Sequence, residues 1–140
     1  MIKVEINRID QDFLMEAVNE AGNKIQMDAG PDDGGHELGF RPMQLLLGAY
    51  GGCAAIDLIN ILRKQREPLN DLKITVTGER EKGVVPSLYT EVHAHFRLFG
   101  NVNREKAERA VQLSVDKYCS VAKTLEKSAK VTYSFEIVNQ

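Results

Sequence analysis

The residues best suited to chemistry are Cys53 and Cys119, the two cysteines of a 140-residue chain. A thiol reacts as its thiolate, so its surroundings decide whether it is a nucleophile or a small apolar filler. Cys53 ends the most apolar run of the sequence, Leu45-Leu46-Leu47-Gly48-Ala49-Tyr50-Gly51-Gly52-Cys53. If a helix starts at Pro42, Cys53 lies about three turns inside it, beyond the reach of the helix N-terminal charge. Asp57, one turn on, leans back toward it, and a carboxylate there disfavours the thiolate. The activating cation must then come from elsewhere, and Arg41 and His36 are the nearest by sequence. Cys119 falls where one helical pattern stops and another starts, in Lys117-Tyr118-Cys119-Ser120-Val121. Free N–H groups at the start of that second helix favour a thiolate, so position alone ranks Cys119 above Cys53 as a thiolate. For each cysteine a packing role stays open, Cys53 beside Gly51 and Gly52 and Cys119 at a helix end. Their separation in sequence neither demands nor forbids a disulfide, because geometry decides.

Other groupings carry less. His93 and His95 share the outward face of a strand and supply half a metal site, but no third ligand accompanies them at a suitable spacing, so they read as an exposed polar face. Gly51-Gly52 is not a phosphate-binding loop, since no strand precedes it and no Lys-Ser or Lys-Thr follows. It fits a close backbone approach between helices. Arg104, Lys106 and Arg109 read as a solvated helix face.

The elements that position these residues follow from periodicity. Alternation over Ile2 to Arg8, Phe13 to Val18 and Lys24 to Asp28 predicts three strands, with tight connections that make an antiparallel meander. A loop rich in Gly, Asp and Pro runs from Ala29 to Arg41, and Pro42 suits the first turn of a helix. That helix must stop before Pro68, near Glu67, and its apolar residues cover most of its circumference, which predicts burial on most sides. Leu72, Ile74 and Val76 predict a fourth strand, and Leu88 to Phe99 a fifth. Asn103 is a candidate N-cap for a helix whose inward stripe is Ala107, Ala110, Val111, Ser114, Val115 and Tyr118. A short helix over Ser120 to Lys127 and a strand through Val131, Tyr133, Phe135 and Ile137 complete the order. Blocks of strands and helices of this kind make an α+β fold in a single domain, residues 1–140. A long helix apolar all round has too few partners within the chain, which predicts a homodimer.

Composition excludes several classes. With 18 basic and 20 acidic residues the net charge is −2, so no basic patch recruits nucleic acid or an anionic membrane. The hydrophobic fraction, 43%, is ample for a core. The amino terminus has no basic segment followed by an apolar core, and two cysteines are too few for a stapled secreted scaffold, so a cytoplasmic location is expected. The segment Met43 to Leu62 is long enough to span a bilayer, but it contains Gln44, Asp57 and Asn60 and reads as a buried central helix.

The run Pro42-Met43-Gln44-Leu45-Leu46-Leu47-Gly48-Ala49-Tyr50-Gly51-Gly52-Cys53 resembles the P-x-[EQ]-L-L-L-x-A-x-G-G-C segment of the OsmC/Ohr family. Lys106 to Ala110 and Lys117-Tyr118-Cys119-Ser120-Val121 are similar to its distal cysteine region. The resemblance implies an intertwined homodimer with long buried central helices packed against antiparallel sheets. It implies a thiol peroxidase for organic hydroperoxides, with no bound cofactor or metal. Cys53 would be the peroxidatic thiol, Cys119 the resolving thiol, and a dithiol of lipoyl type the reductant. The chain departs from the peroxidase branch in having Met43 where that branch has a glutamate, and no arginine in Glu20-Ala21-Gly22-Asn23. It is closer to the less characterised OsmC-like branch, with Arg41 and Gln44 as the candidate catalytic residues beside the two cysteines. The alternative that the resemblance leaves is a non-catalytic ligand-binding or redox-sensing protein with a pocket at the dimer interface.

Overall fold

The computed structural model describes residues 1–139. The backbone groups into two compact units, the first ending at Leu46 and the second beginning at Leu47. The first unit holds strands β1 (Val4–Arg8), β2 (Met15–Asn19) and β3 (Lys24–Met27) in one antiparallel sheet, with Ile6 opposite Ala17 and Ala17 opposite Ile25. β2 starts later than its apolar pattern predicts. The Asp10 carboxylate accepts the N–H groups of Asp12 and Leu14 at 2.8 and 3.1 Å and holds that stretch as a turn. After β3 the Asp28 carboxylate organises the loop, accepting the N–H groups of Ala29, His36 and Leu38. Its burial favours the neutral form, but these three donors outweigh that and hold its pKa below the ordinary value.

The second unit holds β4 (Asp71–Arg80), β5 (Tyr89–Phe99) and β6 (Lys130–Val138), ordered β4-β5-β6. β4 and β5 are antiparallel, but β6 runs parallel to β5, so this sheet is mixed where antiparallel sheets were expected. The cause is the helical crossover between β5 and β6, which carries the chain back to the end where β5 began. Alternation sends Val92, Ala94, Phe96 and Leu98 of β5 into the core.

Helix α1 (Pro42–Lys64) links the two units. Gln44 Oε1 accepts the Arg41 N–H at 3.0 Å, the reciprocal half of a capping box, and Pro42 occupies the first turn. The helix ends three residues earlier than expected. Arg66 takes a left-handed φ of 56° and the Glu67 N–H returns to the Leu62 carbonyl at 2.9 Å, which turns the chain away before Pro68. Only one face of α1 is buried within the chain, by Tyr50, Gly51, Ala54, Leu58 and Leu62. Ile56 on another face is 64% exposed. The expected burial on most sides is therefore not met by one copy of the chain, although α1 is long and apolar enough to cross a membrane by length and composition. The glycine pair also divides. Within one copy of the chain a Cβ on Gly51 would meet Val76 Cγ2 at 3.1 Å, a close approach of helix to sheet, and one on Gly52 would meet nothing within 4 Å.

Between β5 and β6 run α2 (Arg104–Leu113), a π-helical turn over Ser114–Tyr118, and α3 (Ser120–Leu125). Asn103 caps α2 as predicted, accepting the Lys106 N–H at 3.0 Å. Ala107, Ala110, Val111, Ser114 and Val115 are buried, but Tyr118, the last residue of the predicted stripe, is half exposed. The wider π turn breaks the 3.6-residue period, so Tyr118 faces out and Cys119 faces in. Arg104 is not simply solvated, since its guanidinium lies 5.1 Å from the centre of the Phe135 ring.

Candidate functional site

The second unit brings the two cysteines together. Cys53 projects from α1 and is half-buried; Cys119 sits at the junction of the π turn and α3 and is fully buried; both are free thiols. The Cys53 side chain lies within hydrogen-bonding reach of Cys119. Cys119 Sγ in turn accepts the Ala122 N–H at 3.3 Å and so serves as the N-cap of α3. The helix-end donors favour its thiolate as the sequence predicts, yet they do not win. Burial pushes the Cys119 thiol up to about 11, with the neighbouring Cys53 thiol adding to the rise and the Ala122 and Val121 N–H groups opposing it. Its place at a helix start therefore does not make Cys119 a thiolate, and at neutral pH it keeps its proton.

Tyr50 forms the back of this site. It is fully buried one turn before Cys53, and its hydroxyl donates to the Thr132 carbonyl of β6 at 3.2 Å. Burial raises its phenol pKa far above the ordinary value, and Cys119, Asp116 and Tyr133 add to the rise. Tyr133 donates to Asp116 Oδ2 at 3.1 Å. These residues were missed in the sequence because each reads as part of an apolar stripe or an exposed turn. The usable signal was the i, i+3 spacing of Tyr50 and Cys53, which places a phenol beside the thiol.

The first unit brings Arg41 and Gln44 together. Arg41 Nη2 donates to Glu37 Oε1 at 2.8 Å, while its backbone N–H is taken by Gln44. His36, the other cation near in sequence, bonds through Nε2 to Asp12 Oδ2 at 2.8 Å, and that bond raises its pKa. All three side chains thus have partners within their own unit.

His93 and His95 are half-buried, not free on an outer face. His93 contacts Thr132 Oγ1 at 2.7 Å and Ser134 Oγ at 2.9 Å through its two ring nitrogens. His95 contacts Ser134 Oγ and Glu136 Oε2, each at 2.7 Å. The four ring nitrogens bond to β6, and among the described residues no cluster of three or more His, Cys, Asp or Glu is placed to hold a metal ion.

An α+β chain that sets a half-exposed thiol against a sealed one defines a dithiol protein of a recognisable class. Residues 34–134 match the OsmC-like protein family, and the chain belongs to that family. Protein YhfA of Escherichia coli strain K12 is 40% identical over 127 residues, 90% of each chain. A hypothetical protein from Aquifex aeolicus VF5 superposes with a TM-score of 0.85 at 29% identity, covering 100% of this chain and 98% of its own. An organic hydroperoxide resistance protein OsmC from Legionella pneumophila, at 16% identity, shares the fold with a TM-score of 0.74 over 97% of this chain and 96% of its own.

Proposed function

We propose that the protein is a homodimeric, cytoplasmic thiol peroxidase that reduces organic hydroperoxides. The observation that carries this reading is the asymmetry of two neighbouring free thiols, one reachable from solvent and one sealed. A hydroperoxide meets Cys53 first. The sulfur attacks the terminal peroxide oxygen, the O–O bond breaks, and the alkoxide leaves as alcohol once it gains a proton. Cys53 becomes a sulfenic acid, two electrons more oxidised. The Cys119 sulfur then attacks Cys53, water leaves, and a disulfide forms; an external dithiol of lipoyl type restores both thiols. Two solved relatives of the same fold, from Legionella pneumophila and Elizabethkingia anophelis, are organic hydroperoxide resistance proteins by name, which favours this substrate class.

A second copy of the chain supplies the cover that α1 lacks. Ile56 and Leu46 are exposed, and the space around Gly48 and Gly52 is open, so an apolar helix face stands ready for another. Val4, Ile6 and Ile25 of the first sheet are exposed as well. Ile56→Asp is expected to convert a dimer to a monomer in light scattering.

The test of the chemistry is consumption of cumene hydroperoxide with dihydrolipoamide as reductant. The wild type should turn over and Cys53→Ser should not; consumption unchanged by Cys53→Ser overturns the reading. A redox-sensing or ligand-binding role is the second reading. It is favoured by the engagement of Arg41 with Glu37 and of Gln44 with the helix start, which gives both candidate activators other work.

A further inference from the structure

We propose that Asp57 is the proton shuttle of Cys53, its carboxylate taking the thiol proton and its carboxylic acid returning that proton to the departing alkoxide. The inference rests on the peroxidase reading and adds a residue to it. Tyr50, Cys53 and Asp57 follow one another at i, i+3 and i+7 along α1, a single stripe of the helix. Side chains four residues apart on a helix have Cβ atoms roughly 5–6 Å apart, and the later one tilts back over the earlier. Asp57 is the ionisable group so placed toward Cys53.

Two further features single it out. Asp57 Oδ2 is shielded from solvent and has no hydrogen-bond partner, the state in which a buried acceptor calls for an explanation. A structural carboxylate in this protein looks different: Asp28 accepts three backbone donors and its pKa falls. Asp57 accepts none, and burial alone raises its pKa, with no charged neighbour contributing. The titratable groups around the thiol it serves, Cys119 and Tyr50, are themselves held protonated by burial and compete poorly for the proton. A base whose pKa is lifted toward the working pH is better matched to accept and then return a proton.

The step balances. Cys53–SH gives its proton to Asp57, the sulfur attacks R–O–OH, the S–O bond forms, and the O–O electron pair leaves on RO⁻. Asp57 then protonates RO⁻ to the alcohol and is a carboxylate again. The sulfur loses two electrons and the peroxide bond gains them.

The experiment compares wild type with Asp57→Asn by two readouts on the full-length protein. Alkylation of Cys53 by iodoacetamide, followed by peptide mass spectrometry across the pH range, needs a thiolate but no protonated leaving group. Cumene hydroperoxide reduction needs both. Removal of the carboxylate is expected to slow alkylation modestly, through the lost proton acceptor, while hydroperoxide reduction, which also loses the returning acid, falls further, on the order of 100-fold. The wild-type alkylation profile should also carry an acidic inflection that Asp57→Asn lacks. A fall of equal size in both rates, or no fall in either, overturns the shuttle. If the wild type leaves cumene hydroperoxide untouched, the peroxidase reading fails and the alkylation profiles decide alone. An inflection lost in Asp57→Asn then keeps Asp57 as the proton acceptor of Cys53, and identical profiles overturn it.

Discussion

Cys53 and Cys119 are neighbours yet belong to opposite kinds of environment. Cys53 rides on the flank of a regular helix, half open to solvent, one turn from an unpaired carboxyl. Cys119 is folded inward by an irregular turn, sealed from solvent and bonded to the start of α3. The difference teaches that proximity and reactivity are separate properties. One thiol can be reached from solvent and the other cannot.

The sharpest way to break that contrast is to remove each sulfur in turn. Cys53→Ser is expected to abolish hydroperoxide turnover, whereas Cys119→Ser should keep a single stoichiometric reduction and lose recycling by the dithiol. Equal loss of the first turnover in both variants would contradict the division of labour. A smaller effect is selectivity without mutation. At neutral pH iodoacetamide should modify Cys53 at least about tenfold faster than Cys119, read by peptide mass spectrometry. Deleting Lys117 tests the irregular turn itself: with the extra residue of the π turn removed the 3.6-residue period returns, Cys119 takes the inward place at the end of the stripe, and it should stay protected from a thiol reagent.

The pH dependence of stability sharpens the same contrast. The Cys119 thiol keeps its proton to about 11 in the folded state against an ordinary 9.0. Its contribution to stability is then complete below pH 9.0 and is lost as pH rises toward 11. Thermal melts should fall across that window, and less steeply in Cys119→Ser. The mildest change is Tyr50→Phe, which leaves the Thr132 carbonyl without its phenol donor and should cost about 1 kcal/mol in denaturant melts.

Local pattern carried much of the architecture. The alternation of Leu72, Ile74 and Val76, the Asn103 cap, the Pro42 start and the strand through Val131 and Ile137 all fall inside the elements that form. The cysteine pair was legible as chemistry from its residue type. What the sequence did not reveal depends on partners far along the chain. The direction of β6 is set by the crossover before it, not by its own residues. The outward turn of Tyr118 comes from a π turn that a 3.6-residue period does not anticipate. The protonation of Cys119 follows from burial, which local sequence cannot weigh against the helix-end donors. His93 and His95 looked exposed because strand alternation identifies a face but not the Thr132, Ser134 and Glu136 side chains that occupy it.

The bond from Tyr50 to the Thr132 carbonyl joins residues 82 apart, and it has a consequence for assembly. β6 cannot pair in parallel with β5 until α2, the π turn and α3 have been laid down between them. During synthesis Cys53 therefore emerges long before the Thr132 carbonyl that anchors Tyr50 behind it exists. The Tyr50 anchor behind the thiols is thus completed late, by the last long-range pairing of the chain.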